Sequence, residues 1–143
     1  MTTALPESIA GRIERLCAEG ETFASEDRFG AAVLRFTTAL RLLPRPQDRW
    51  QITPRLLASI IDLCFDKGDL ESARQAALAA LDLPDIAQNP ALRLKLGAIY
   101  FEEGNLDAAR AEFAQALAGG GEAVFEDEDP KYWDFASGRE LQN

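Results

Sequence analysis

The sequence predicts an all-α chain: three antiparallel helix-turn-helix pairs in a stack, closed by a short C-terminal capping helix. Three observations predict it. Alanine and leucine, both good helix formers, dominate, while the valine, isoleucine and tyrosine that a sheet needs are sparse. Apolar residues recur at three- and four-residue steps between breakers. The breakers leave very short turns inside each pair, and short turns make neighbouring helices antiparallel.

The elements follow in order. Pro6-Glu7 opens a helix to about Ser25, with Ile9, Ile13, Leu16, Gly20 and Phe23 at helical spacing. Asp27 is the expected N-cap of a second helix, which runs to about Leu42 on Val33, Phe36, Ala39, Leu40 and Leu43 before Pro44-Arg45-Pro46 stops it. Thr53-Pro54, a cap and first-turn pair, starts a third helix that reaches Lys67. Gly68-Asp69 is the turn into a fourth, Leu70 to Asp82, and Pro84 and Asn89-Pro90 bracket the next loop. The fifth spans Pro90 to Glu103, Gly104-Asn105 turns, and the sixth runs from Leu106 to Ala118, ended by Gly119-Gly120-Gly121.

A chain of 143 residues, 47% hydrophobic and 27% charged, suits one globular domain with its own core. The N-terminus has no basic region followed by an apolar run, so no signal peptide is expected. No apolar stretch approaches the roughly 20 residues that cross a bilayer. Cys17 and Cys64 fall in helical patterns without CxxC spacing and are expected as reduced, partly buried thiols, which suits the cytoplasm. The net charge of −9, with no histidine, argues against nucleic acid and anionic membrane as partners and permits a basic protein. Solubility is the alternative reason for that charge.

Internal repetition is the strongest signal. The second and third pairs align through their turns, Phe65-Asp66-Lys67-Gly68-Asp69-Leu70-Glu71-Ser72-Ala73-Arg74 with Phe101-Glu102-Glu103-Gly104-Asn105-Leu106-Asp107-Ala108-Ala109-Arg110, and the first carries the frame loosely at Ala24–Val33. Leu96-Gly97, Tyr100, Ala109, Phe113 and Ala116, and in the first pair Leu16, Gly20, Phe23, Ala32, Phe36, Ala39 and Pro44, resemble the tetratricopeptide repeat family. The middle pair departs from the pattern, with Ile61, Cys64 and Ala77 where a glycine and two aromatics are expected. Ala32, Ala73 and Ala109 lie 41 and 36 residues apart, the excess over the family's 34 falling in the loops at Pro44–Trp50 and Pro84–Asn89. The resemblance covers roughly residues 9 to 118, with repeats at about 9–46, 50–88 and 89–120. It implies a right-handed superhelical stack whose first helices line a concave, partner-binding face.

On that face the resemblance places Glu14, Cys17 and Glu21, then Arg55, Ala58, Asp62, Phe65 and Asp66, then Leu94, Lys95, Ala98, Phe101 and Glu102. The result is an acidic groove with Phe65 and Phe101 near its floor. The Lys, Arg and Asn clamp with which some family members bind acidic chaperone tails is missing, so a basic partner is expected. Against this stands a plainer reading, in which both phenylalanines are core and the carboxylates are an ordinary solvated face.

Residues 121–143 form an acidic, aromatic C-terminal segment. Asp129-Pro130 reads as the start of a short helix with Tyr132, Trp133 and Phe135 on one face. Two readings stand open: a cap over the end of the stack, or a hot spot in which Glu126, Asp127, Glu128, Tyr132 and Trp133 meet a basic partner. The run Phe125–Tyr132 also resembles the tails of small bacterial repeat proteins encoded beside secreted toxins, which implies an immunity role. Trp50, in the Pro-rich insertion, is either a further contact residue or packed against the stack.

The expected chemistry is binding alone. Histidine is absent, the glycines sit between helices and form no phosphate loop, and the carboxylates at 126–129 lack calcium-loop spacing. The chain is therefore expected to be non-enzymatic, without metal or cofactor. It would be either an immunity-like inhibitor of a basic toxin or a scaffold or chaperone adaptor in a larger assembly. Its oligomeric state is left open.

Overall fold

The computed structural model describes residues 4–47, 50–83 and 86–138. Among them the chain is all-helical, with no strand: α1 Glu7–Ser25, α2 Phe29–Leu42, α3 Ile52–Lys67, α4 Leu70–Leu81, α5 Pro90–Glu102, α6 Leu106–Gly120 and α7 Pro130–Ala136, with a 3₁₀ turn at Glu122–Phe125. It divides into two compact units, residues 1–76 and 77–143.

In the first unit α1 packs on α2 and α2 on α3. The α1–α2 approach is set by Gly20, where a Cβ would stand 2.7 Å from the ring of Phe36. A real Cβ cannot sit there, so the missing side chain is what lets the phenylalanine ring approach α1 so closely. Ala32 and Ala39, both fully buried, flank Phe36 on α2, and Ile13 and Leu43 extend the same core.

The turn between α1 and α2 departs from expectation. Asp27 is not the N-cap of α2. It adopts φ +59°, the left-handed position that Gly68 and Gly104 occupy at +88° and +82°. Arg28 becomes the N-cap and supplies no side-chain acceptor. At the equivalent positions Asp69 accepts the Ser72 N–H at 3.2 Å and Asn105 the Ala108 N–H at 3.3 Å.

Thr53 is likewise not a cap. It is 2% exposed inside the first turn of α3, and its hydroxyl donates to the Gln47 carbonyl at 2.6 Å. The same loop is tied twice more, by Gln47 Nε2 to the Leu40 carbonyl at 2.9 Å and by Trp50 Nε1 to the Pro44 carbonyl at 2.7 Å. Trp50 is half-buried and hydrogen-bonded within its own loop. The expected breaker Pro84 lies outside the described residues.

In the second unit α5 packs on α6 through a copy of the first lock: a Cβ on Gly97 would lie 2.7 Å from the Phe113 ring. Glycine and phenylalanine are sixteen residues apart in both pairs, and Ala109 and Ala116 flank Phe113 as Ala32 and Ala39 flank Phe36. Asn89 caps α5 by accepting the Ala91 N–H at 2.9 Å, with Pro90 in the first turn. Helix α6 runs two residues beyond its expected end at Ala118. Gly119 and Gly120 remain helical, and the helix there lies close on Pro90, which added Cβ atoms would meet at 3.0 and 3.1 Å. The stop comes at Gly121, φ +68°.

Candidate functional site

The C-terminal segment folds back onto α5 and α6. The 3₁₀ turn buries Phe125, and Asp129 caps α7 by accepting the Lys131 N–H at 3.0 Å. Tyr132 and Phe135, three residues apart, share the inward face of α7 and are 5% and 1% exposed. Phe101 meets both edge-on, at centroid distances of 5.6 and 5.1 Å, and Phe113 lies 5.6 Å from Phe125. Arg110 covers the outer face of Phe135 at 4.4 Å. The result is an aromatic cluster of the edge-to-face kind that favours close ring packing.

A polar latch closes over it. The Tyr132 hydroxyl donates to Glu102 Oε1 at 2.9 Å, and Lys131 Nζ lies 2.7 Å from the same oxygen. The Lys131 ammonium, helped by the Tyr132 hydroxyl, holds the Glu102 carboxyl below its usual range. Burial, reinforced by the neighbouring carboxylate, drives the Tyr132 phenol well above its ordinary value. Arg93 adds a second, more buried tie on the α5–α6 pair: Nη1 reaches Glu112 Oε2 at 3.1 Å, and Nε donates to the Ala87 carbonyl at 3.0 Å.

The residues singled out in the sequence therefore fall into three groups. Phe101, Glu102 and Tyr132 come together inside the second unit and hold its tail. Glu126 and Asp127 are exposed, Glu128 is half-buried, and Trp133 turns off the inward face to lie half-exposed against Phe125 at 5.3 Å. In the first unit Glu14, Glu21, Asp62 and Asp66 are exposed and Phe65 is half-buried. Glu21 meets Arg55 of α3 at 3.4 Å across a pair 62% and 70% exposed, a contact that contributes at most about 1 kcal/mol. Cys17, beside that pair, and Cys64 are free and buried, and burial raises both thiols above their ordinary value. Sequence reasoning missed Lys131, Phe125 and Arg110 as parts of the tail's seat.

Charge divides unevenly between the units. Residues 77–143 carry thirteen carboxylates against five cations, a net −8, whereas residues 1–76 carry eleven against ten, a net −1. The acidity of the chain thus belongs almost wholly to the unit that bears the aromatic tail. Among the described residues no group of His, Cys, Asp and Glu side chains is placed to hold a metal ion. No described helix is long and apolar enough to cross a membrane. Comparison with protein-family models finds no match, and comparison with curated proteins finds none either.

Proposed function

We propose that the chain is a tetratricopeptide-type interaction module that holds one protein partner with a basic surface. Within that class, we read it as a bacterial immunity-like inhibitor of a basic toxin. The observation that carries the reading is the concentration of net charge −8 on the unit whose outer surface presents Glu126, Asp127 and half-exposed Trp133. A strong single-sign field of this kind speeds the capture of an oppositely charged partner, and a half-exposed aromatic on the same unit supplies a short-range anchor. The two glycine–phenylalanine locks with the same sixteen-residue spacing support the repeat assignment, since close helix approach at a glycine is what the repeat requires.

Because Glu102 and Tyr132 are engaged in the latch, the contact surface is better sought at Glu126, Asp127 and Trp133. The groove carboxylates Glu14, Glu21, Asp62 and Asp66 are a second, weaker surface. The test isolates the native partner with the full chain as bait and measures its association rate for two charge-reversed forms. Glu126→Lys with Asp127→Lys should slow association about tenfold at low salt and flatten its salt dependence. Asp62→Lys with Asp66→Lys should have the smaller effect. If neither reversal changes the rate, the acidic-surface reading fails. Growth rescue on co-expression with the isolated partner separates immunity from the scaffold or adaptor alternative, in which the partner is harmless to the cell.

A further inference from the structure

The outer face of the α1–α2 pair has a character opposite to that of the tail. Along α1, Arg12, Leu16, Glu19 and Phe23 recur at three- and four-residue steps and so share one side, with Arg15 beside them. The side that meets α3 is the other one, since Glu21, two residues from both Glu19 and Phe23, pairs with Arg55. Ala18, Glu19, Thr22 and Phe23 line an open cleft of about 250 Å³. Two guanidinium groups rest on its aromatic wall, Arg28 at 4.7 Å and Arg35 at 5.2 Å from the Phe23 centroid; Arg28 also meets Glu26 at 3.9 Å and Arg35 meets Glu19 at 3.0 Å. Arg12 and Arg15 stand exposed along the same helix.

We infer that this face, Phe23 and its cleft with Arg12, Arg15, Arg28 and Arg35 set around them against the two carboxylates Glu19 and Glu26, is a docking face for the acidic tail unit of a second copy of the chain. The two surfaces complement each other in both respects. One offers Phe23 roofed by two arginines with Arg12 and Arg15 at its side. The other offers the half-exposed Trp133 ring packed against Phe125, which the exposed Glu126 and Asp127 follow in sequence, on a unit of net charge −8. An indole can stack against guanidinium groups held over a ring, and carboxylates can pair with the arginines that border it. The contact is heterologous, one face of one copy against a different face of the next, so it builds a head-to-tail assembly. It does not depend on the identity of any basic partner. It uses the same acidic face, however, so a basic partner would compete with it.

Sedimentation velocity on the full chain tests this. At about 20 mM salt the wild type should show a weight-average mass that rises with concentration, and near 0.5 M salt it should sediment as a monomer, because surface charges are then screened beyond about 4 Å. Arg12→Glu with Arg15→Glu should be monomeric at low salt, and so should Glu126→Lys with Asp127→Lys. An equimolar mixture of these two variants should re-associate, since each restores what the other lost. Circular dichroism confirms that both remain helical. A monomeric wild type at low salt up to several hundred micromolar overturns the inference. So does assembly that survives the arginine reversals, or a mixture that stays monomeric.

Discussion

At φ +59°, Asp27 occupies a backbone position that two glycines occupy in the other turns. An aspartate tolerates the left-handed region better than most residues but still pays a steric penalty there. Asp27→Gly should therefore raise stability by about 0.5–1 kcal/mol, read as a higher urea midpoint. Arg28→Asn, which restores the acceptor that Asp69 and Asn105 provide elsewhere, should add about 1 kcal/mol. The opposite sign is expected at Gly97. Gly97→Ala places a Cβ 2.7 Å from Phe113 and should cost about 1–3 kcal/mol, part of which Phe113→Leu recovers by vacating the clash. The glycine–phenylalanine pairs were legible in the sequence because their spacing repeats. The role of Asp27 was misread because aspartate is favoured both at caps and in left-handed turns, and only its register opposite Gly68 and Gly104 separates the two.

At the scale of elements, α7 is a seven-residue helix held by two buried rings and one carboxylate. Its existence and its cap were readable from Asp129-Pro130. Which of its aromatics faces inward was not, because Tyr132, Trp133 and Phe135 cover too short an arc to choose a side until a neighbour is placed. The choice is made by Phe101 and Glu102, thirty residues earlier. The latch has a definite pH signature. The Glu102 carboxyl is held below its unperturbed value of 4.5, so its contribution is complete above that value and is lost as pH falls through the lower folded one. Glu102→Gln should lower stability at pH 7 by about 0.5–1 kcal/mol, a figure reduced for the partial exposure of the pair, and the difference should vanish once the pH has fallen through the lowered folded-state value. Tyr132 behaves in the reverse sense. Its phenol is raised above 10.0, so the neutral, hydrogen-bonded form stabilises the fold below that pH and its contribution is lost as pH climbs higher. Tyr132→Phe should cost about 1–2 kcal/mol at neutral pH, and phenol ionisation followed by ultraviolet absorbance should show one tyrosine titrating only as the tail detaches.

On the scale of the whole molecule, helix positions were legible because proline and glycine punctuate the chain, whereas the partition of charge was not. The total of −9 is visible in the composition, but its assignment to one side requires knowing that a compact unit begins inside α4. A net −8 within the second unit has an internal consequence as well as an external one. Thirteen carboxylates on one small body repel one another, and that repulsion opposes compaction. Salt at about 0.1 M screens such interactions beyond about 10 Å, so added salt should relieve the second unit while leaving the nearly neutral first unit unchanged. The Glu102–Lys131 and Arg93–Glu112 contacts work against this trend, but they are two pairs set against a surplus of eight charges. Hydrogen exchange resolved by peptide mass measurement, at a dilution that keeps the chain monomeric, separates the two units. Protection in α5, α6 and α7 should increase between 20 mM and 0.5 M sodium chloride, with α1 and α2 serving as the internal reference. Equal gains in both units would mean that salt acts through general hydrophobic strengthening and that the charge asymmetry places no strain on the fold. Lost protection in α7 alone would mean that the latch outweighs the repulsion around it.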